Sequence, residues 1–122
     1  MESDKKRILC VEDDLDSCEM LQVLLSDYEV ITANTVGEGL RLANAERFDL
    51  YLLDSRYPDG TGADLCRQLR RFDGQTPVLF HSGMDGESDI NEAMRAGAQG
   101  YLVKPIAVDE LQGSIKRLLG LD

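Results

Sequence analysis

The run Leu50-Tyr51-Leu52-Leu53, closed by Asp54, constrains this chain more than any other stretch. Four consecutive apolar residues with no polar alternation make a short strand that is buried on both faces. That is the pattern of a central strand in a parallel sheet, not of a strand with one wet face. Asp54 stands at its carboxyl end. Ser55-Arg56-Tyr57-Pro58-Asp59-Gly60-Thr61-Gly62 follows, and Pro58, Gly60 and Gly62 stop the strand and hold an irregular loop just beyond the carboxylate. In open α/β sheets ligands bind outside that edge, so Asp54 is the first candidate for chemistry.

Ile8-Leu9-Cys10-Val11 repeats the shape, a buried strand ending in the acids Glu12-Asp13-Asp14. Helical spacing then begins near Leu15, with Cys18, Leu21 and Leu24 or Leu25 at steps of three and four, and Asp14 or Asp16 suits the positive end of that helix. Val30-Ile31-Thr32-Ala33 is a further strand. Thr35 with Glu38 forms a capping-box pattern ahead of Val36, Leu40 and Ala43. Thr61 and Asp64 make another cap before Leu65, Leu69 and Phe72. Pro77-Val78-Leu79-Phe80-His81 is the fourth strand and ends in Ser82-Gly83; a helix carrying Ile90 and Met94 then runs to Gly97, which terminates it. Gly100-Tyr101-Leu102-Val103 is the fifth strand and ends in Lys104-Pro105. The last helix places Val108, Leu111, Ile115 and Leu118 on one face, with Ala107 a poor cap at its start. Five strands alternating with five helices imply right-handed crossovers and an α/β, doubly wound five-stranded parallel sheet, read as a single domain over residues 1–122.

A formal charge of −10 over 122 residues disfavours direct contact with nucleic acid or an anionic membrane, and suits a cation or a basic partner surface. No stretch approaches the roughly 20 apolar residues of a membrane span. Met1-Glu2-Ser3-Asp4-Lys5-Lys6-Arg7 has no signal-peptide core, which points to the cytoplasm. Cys10, Cys18 and Cys66 are odd in number, lack metal-ligand spacing and fall in apolar patterns, so they read as buried reduced thiols. His81, the only histidine, reads as a packed residue of the fourth strand.

Parallel strands have all their carboxyl ends on one edge, so Glu12, Asp13, Asp54, Ser82 and Lys104 come to a single rim although they are far apart in sequence. Three carboxylates that close raise one another's pKa unless a cation sits among them. An all-oxygen set without His or Cys suits Mg²⁺, and Lys104 adds a compact second positive charge. A divalent ion, an ammonium, a hydroxyl and an exposed carboxylate around one point suit phosphoryl transfer, in which catalysis is mostly positioning and charge neutralisation. In that chemistry Asp54 is the nucleophile and forms an aspartyl phosphate. Asp13 holds the metal directly, Glu12 holds it directly or through water, and Ser82 donates to a phosphoryl oxygen.

At these residues the chain resembles the receiver domain of two-component response regulators, the fold of the chemotaxis receiver. The matching pieces are Glu12-Asp13, Asp54 with Pro58 and Gly62, Ser82-Gly83, and Tyr101-Leu102-Val103-Lys104-Pro105, in order and at family spacing from about Lys6 to Leu119. The resemblance implies a flavodoxin-like (βα)5 sheet with strand order 2-1-3-4-5, and Mg²⁺ held by Glu12, Asp13, Asp54 and the backbone carbonyl of Arg56. It implies a phosphoacceptor switch, not an enzyme, that takes phosphate from a histidine kinase or a histidine phosphotransfer protein. Phosphorylated Asp54 then draws Ser82 inward and Tyr101 rotates toward the vacated space. The face of helix four, strand five and helix five changes its preference for a downstream protein. Arg56 and Met84, two residues after Asp54 and Ser82, stand where phosphate lifetime is tuned. A cis bond between Lys104 and Pro105 is implied, as is a monomer or weak dimer, either stand-alone or cut from a longer regulator. Gly83 stands where the family often has Ala, and Tyr57 where many members have Met.

Three rival functions share parts of this pattern. A small phosphatase with an aspartate nucleophile would use Asp14-Leu15-Asp16, but that pair lies where the first helix begins. A flavodoxin-like cofactor binder needs a hydroxyl- or glycine-rich phosphate loop after the first strand, where Glu12-Asp13-Asp14 would repel a phosphate. A receiver-like scaffold that is never phosphorylated would have no use for the acidic pair, Asp54 and Lys104 together.

Overall fold

The computed structural model describes residues 5–121; Met1–Asp4 of the charged amino-terminal run and Asp122 lie outside the described residues. Five strands, β1 (Arg7–Val11), β2 (Glu29–Ala33), β3 (Leu50–Leu53), β4 (Val78–Ser82) and β5 (Gly100–Val103), form one parallel sheet in the order β2-β1-β3-β4-β5. Helices α1 (Leu15–Leu24), α2 (Val36–Ala45), α3 (Gly62–Arg70), α4 (Glu87–Ala96) and α5 (Val108–Leu118) fill the crossovers. A separate hairpin, Arg56–Tyr57 against Gly60–Thr61, follows β3. In register, Val11 lies opposite Leu53, Leu53 opposite Phe80, and Phe80 opposite Tyr101. The strand order reverses between β1 and β3, and those two strands end in Glu12 and Asp54.

Successive residues of the central strands serve opposite layers, as the unbroken apolar runs require. Leu9, Val11, Tyr51, Leu53, Val78 and Phe80 pack with Val36, Ala43, Leu65, Leu69, Ala93 and Ala96 of α2, α3 and α4. Ile8, Cys10, Leu50, Leu52 and Leu79 pack with Leu21, Leu25, Leu111 and Ile115 on the α1 and α5 side. The three cysteines are free and buried, and burial pushes all three thiols up. No helix among the described residues is long and apolar enough to cross a membrane.

Local signals set the helix ends. Asp14, not Asp16, caps α1 by accepting from the Ser17 amide at 3.2 Å and the Ser17 hydroxyl at 2.6 Å. Thr35 and Thr61 accept from the amides of Glu38 and Asp64, and Ala107 precedes α5 with no side-chain cap. Glu38 reaches back to the amide of Asn34, one residue before the cap. Gly97 ends α4 in the left-handed conformation at φ 116°. A second cap on α2 comes from the hairpin, where the Asp59 carboxylate accepts from the amides of Val36 and Gly37 at 2.8 and 3.0 Å.

Four apolar residues that helical spacing assigns to buried faces are exposed. Leu15 and Val108 are the first residues of α1 and α5, and Phe72 lies beyond the end of α3, so none has a full turn of helix to hold it over the sheet. Met94 is exposed because α4 seats on its alanines, Ala93 and Ala96.

The edge opposite the carboxyl rim is tied together by Asp73. Its carboxylate accepts from the Tyr51 hydroxyl at 2.8 Å, the Thr76 hydroxyl at 2.7 Å and the amides of Gln75 and Thr76 at 3.0 Å. Partial burial would raise this carboxyl, but the donors prevail and hold it well below the usual carboxylate range. A depressed carboxyl adds stability above its unfolded pKa and loses it as pH falls through the range below. We therefore expect Asp73→Ala to lose about 2 kcal/mol at pH 7, with the gap to the natural chain narrowing below about pH 4. Urea unfolding across pH checks this; a gap that stays constant down to pH 3 would contradict it.

Candidate functional site

The end of β1 delivers Glu12 and Asp13, the end of β3 delivers Asp54, and the ends of β4 and β5 deliver Ser82 and Lys104. One carboxylate oxygen each from Glu12, Asp13 and Asp54 lies within 4.8 Å of the others. The Lys104 ammonium donates to Asp54 Oδ2 at 2.9 Å and stands 3.6 Å from Glu12 Oε1. A backbone bond from Lys104 N–H to the Ser82 carbonyl, at 2.8 Å, joins the last two strand ends, and the Lys104–Pro105 peptide is cis.

Glu12 is the buried acid of the group, at 2% exposure. Its Oε2 accepts from the Asp14 amide at 3.0 Å, while Oε1 has no hydrogen-bond partner. Burial raises its carboxyl, against the lowering by the Asp14 amide and Lys104. Its carbonyl accepts from the Asn34 amide side chain at 2.9 Å and the Cys18 thiol at 3.4 Å, which fixes the turn into Asp13. Asp13 itself is exposed. A buried carboxylate with one oxygen lacking a hydrogen bond, beside two further carboxylates, is a donor set that a hard cation with oxygen ligands fits.

Asp54 is half-buried, and its Oδ1 accepts from the Ser55 amide at 2.6 Å. Burial alone would lower the Lys104 ammonium, but its bond to Asp54 prevails and raises it, so the amine stays charged. His81 Nε2 lies 3.9 Å from Glu12 Oε1 and also lacks a partner. Burial, reinforced by Lys104, drives this imidazole down to about 4, so it is neutral at pH 7.

Ser82 is fully buried, and its hydroxyl accepts from the Met84 amide at 3.0 Å, which closes the turn after β4. Tyr101 stacks on Phe80 with ring centroids 5.6 Å apart, donates to the Met84 carbonyl at 2.6 Å and lies 3.2 Å from the Ser55 hydroxyl. Its phenol thus already joins the loops that follow Asp54 and Ser82. Arg56 is exposed on the hairpin.

Residue spacing alone does not reveal Asn34, Ser55 or the hydroxyl of Tyr57. Tyr57 is buried; it donates to the Val11 carbonyl at 2.8 Å and accepts from the Asp54 amide at 2.6 Å. The available signal was a tyrosine three residues past the acid, where a fully solvated loop has no need of one.

Residues 8–116 match the family model of the response regulator receiver domain. The alkaline phosphatase synthesis transcriptional regulatory protein PhoP of Bacillus subtilis is 35% identical over 116 residues, covering 93% of this chain and 48% of that protein. The transcriptional regulatory protein ZraR of Escherichia coli is 32% identical over 121 residues, covering 98% of this chain and 27% of that protein. The chain spans half or less of the length of these curated relatives. Among solved structures, a CheY-like receiver domain protein from Methanospirillum hungatei superposes with a TM-score of 0.91 at 30% identity, covering 96% of this chain and 95% of that one. The non-phosphorylated HemR receiver domain from Leptospira biflexa superposes with a TM-score of 0.88 at 33% identity, covering 97% of each.

Proposed function

Since the chain belongs to the response regulator receiver family of two-component signalling, we propose that Asp54 is its phosphoacceptor, charged by a phosphohistidine on a histidine kinase or phosphotransfer protein. The observation that carries this reading is the Lys104 ammonium on Asp54 Oδ2 beside the unpartnered, buried oxygen of Glu12. Glu12, Asp13, Asp54 and the Arg56 carbonyl would hold Mg²⁺, whose contribution is to neutralise charge on the transferring phosphoryl group. An Asp54 carboxylate oxygen attacks phosphorus, the phosphorus–nitrogen bond breaks, and the imidazole leaves with the electron pair. Lys104 then shares its charge with the phosphoryl oxygens, and the Ser82 hydroxyl donates to one of them.

Inward movement of Ser82 pulls on the turn it makes with Met84, and Met84 is bound to Tyr101. The charge at Asp54 is thereby coupled to the α4–β5–α5 face, which engages a downstream protein. Arg56 and Met84 tune phosphate lifetime by controlling the approach of water. We place the domain in the cytoplasm as a monomer or weak dimer, acting through protein contact and not by binding nucleic acid itself.

Intact mass after incubation with Mg²⁺ and acetyl phosphate or phosphoramidate tests this. The expected result is one phosphate adduct that disappears in Asp54→Asn and with a chelator. No adduct from any donor, including a purified phosphohistidine protein, would overturn the reading in favour of an unphosphorylated scaffold.

A further inference from the structure

Parallel strands direct alternate residues to alternate neighbours. The Glu12 amide donates to Ala33 of β2, so Val11 faces β3; the Tyr51 amide donates to Pro77 at the start of β4, so by alternation Asp54 faces β1. The Asp54 N–H and the Val11 carbonyl are therefore the next rung of the β1–β3 ladder after Val11 and Leu53 pair. That rung is not a direct bond. The Asp54 amide donates to the Tyr57 hydroxyl at 2.6 Å, and the hydroxyl donates on to the Val11 carbonyl at 2.8 Å.

We infer that Tyr57 is a positioning residue whose hydroxyl, inserted into this rung, sets the separation between the Glu12-Asp13 pair and Asp54 and so the fit of the metal site. The inference rests on the metal site of the proposed function and adds the residue that sizes it. One oxygen in the rung holds the two strand ends apart at the point where each begins its acidic turn. The same contact closes a ring from Asp54 to Tyr57 in the loop, which fixes the main chain of Arg56 between them. Tyr57 is 8% exposed, so its ring is anchored in the core and the hydroxyl cannot swing away to water. Without the hydroxyl, the amide and the carbonyl are free to close into a direct rung, and Asp54 is drawn toward Glu12 and Asp13. The carboxylate oxygens then stand at a spacing that no longer matches the coordination shell of a hydrated cation.

The test is Mg²⁺ titration by calorimetry on the natural chain, Tyr57→Phe and Tyr57→Met, with amide spectra by NMR for each. Both variants keep an apolar side chain for the core and lack the oxygen. The expected result is a folded spectrum, a shifted Asp54 amide, and Mg²⁺ affinity weakened about tenfold, as for other groups that orient metal ligands. Equal affinity in the natural chain and the folded variants overturns the inference. So does affinity lost only through unfolding of both variants. Absence of Mg²⁺ binding in the natural chain overturns it together with the metal site. If affinity depends on Tyr57 but no donor phosphorylates Asp54, the inference stands and the phosphoacceptor reading falls.

Discussion

Lys104→Met is expected to bind Mg²⁺ several-fold more tightly than the natural chain while accepting phosphate about a hundredfold more slowly. The two effects have opposite signs because Lys104 stands in two roles. Before transfer its ammonium sits on Asp54 Oδ2 and near Glu12 Oε1, so it competes with an incoming cation for the same oxygens. Its removal leaves those carboxylates repelling one another, and a divalent ion relieves that repulsion. In the proposed transfer the same ammonium would be the charge available to the phosphoryl oxygens, and a thioether supplies none. Calorimetry gives the first quantity, and initial rates at saturating Mg²⁺ give the second. If affinity and rate fell together, Lys104 would be organising the site and not neutralising charge.

Gly62→Ala is expected to destabilise the fold by about 3 kcal/mol or more and to displace Asp54. Gly62 opens α3, and its amide donates to the Ser55 carbonyl at 2.9 Å. A Cβ there would overlap the Asp54 carbonyl oxygen and stand 3.0 Å from its carbonyl carbon and 2.7 Å from Cε2 of Phe80. The first two are backbone, and the third belongs to a buried ring stacked on Tyr101. Nothing in that set yields cheaply, so the methyl must push α3 away or move the main chain of Asp54. Urea unfolding measures the loss, and an unchanged midpoint would show that α3 can shift freely at its start.

What could be read in advance is a matter of distance along the chain. The apolar runs of β1, β3, β4 and β5 are self-contained, and their carboxyl ends share an edge by topology, so the strands and the rim set of Glu12, Asp13, Asp54, Ser82 and Lys104 follow from the sequence. The caps by Asp14, Thr35 and Thr61 are equally local. Asp59 on α2 is different: it is a loop acid capping a helix whose first residue is Val36, and no spacing rule connects them. Tyr57 defeats sequence reasoning in another way, because a side chain turning back into a strand gap depends on how far the strand ends diverge. Phe72, Met94 and Val108 continue the helical period but not the helical contact, since periodicity reports which way a residue points and not whether anything lies there.

In the doubly covered sheet both faces of β3 are apolar, so alternation of polarity does not distinguish one alignment of the strand from its neighbour by a single residue. The distinction lies at its ends. Asp49 precedes the run and accepts from the Arg7 amide at 2.7 Å, and Asp54 closes it at the rim. A slip in either direction would place one of these carboxylates where Leu50 or Leu53 is wholly enclosed, at the cost of burying a charge among apolar side chains. The acid proposed as the phosphoacceptor at one edge is therefore also a stop that keeps the strand in frame, and Asp54→Leu would relax the alignment of β3 as well as remove that carboxylate.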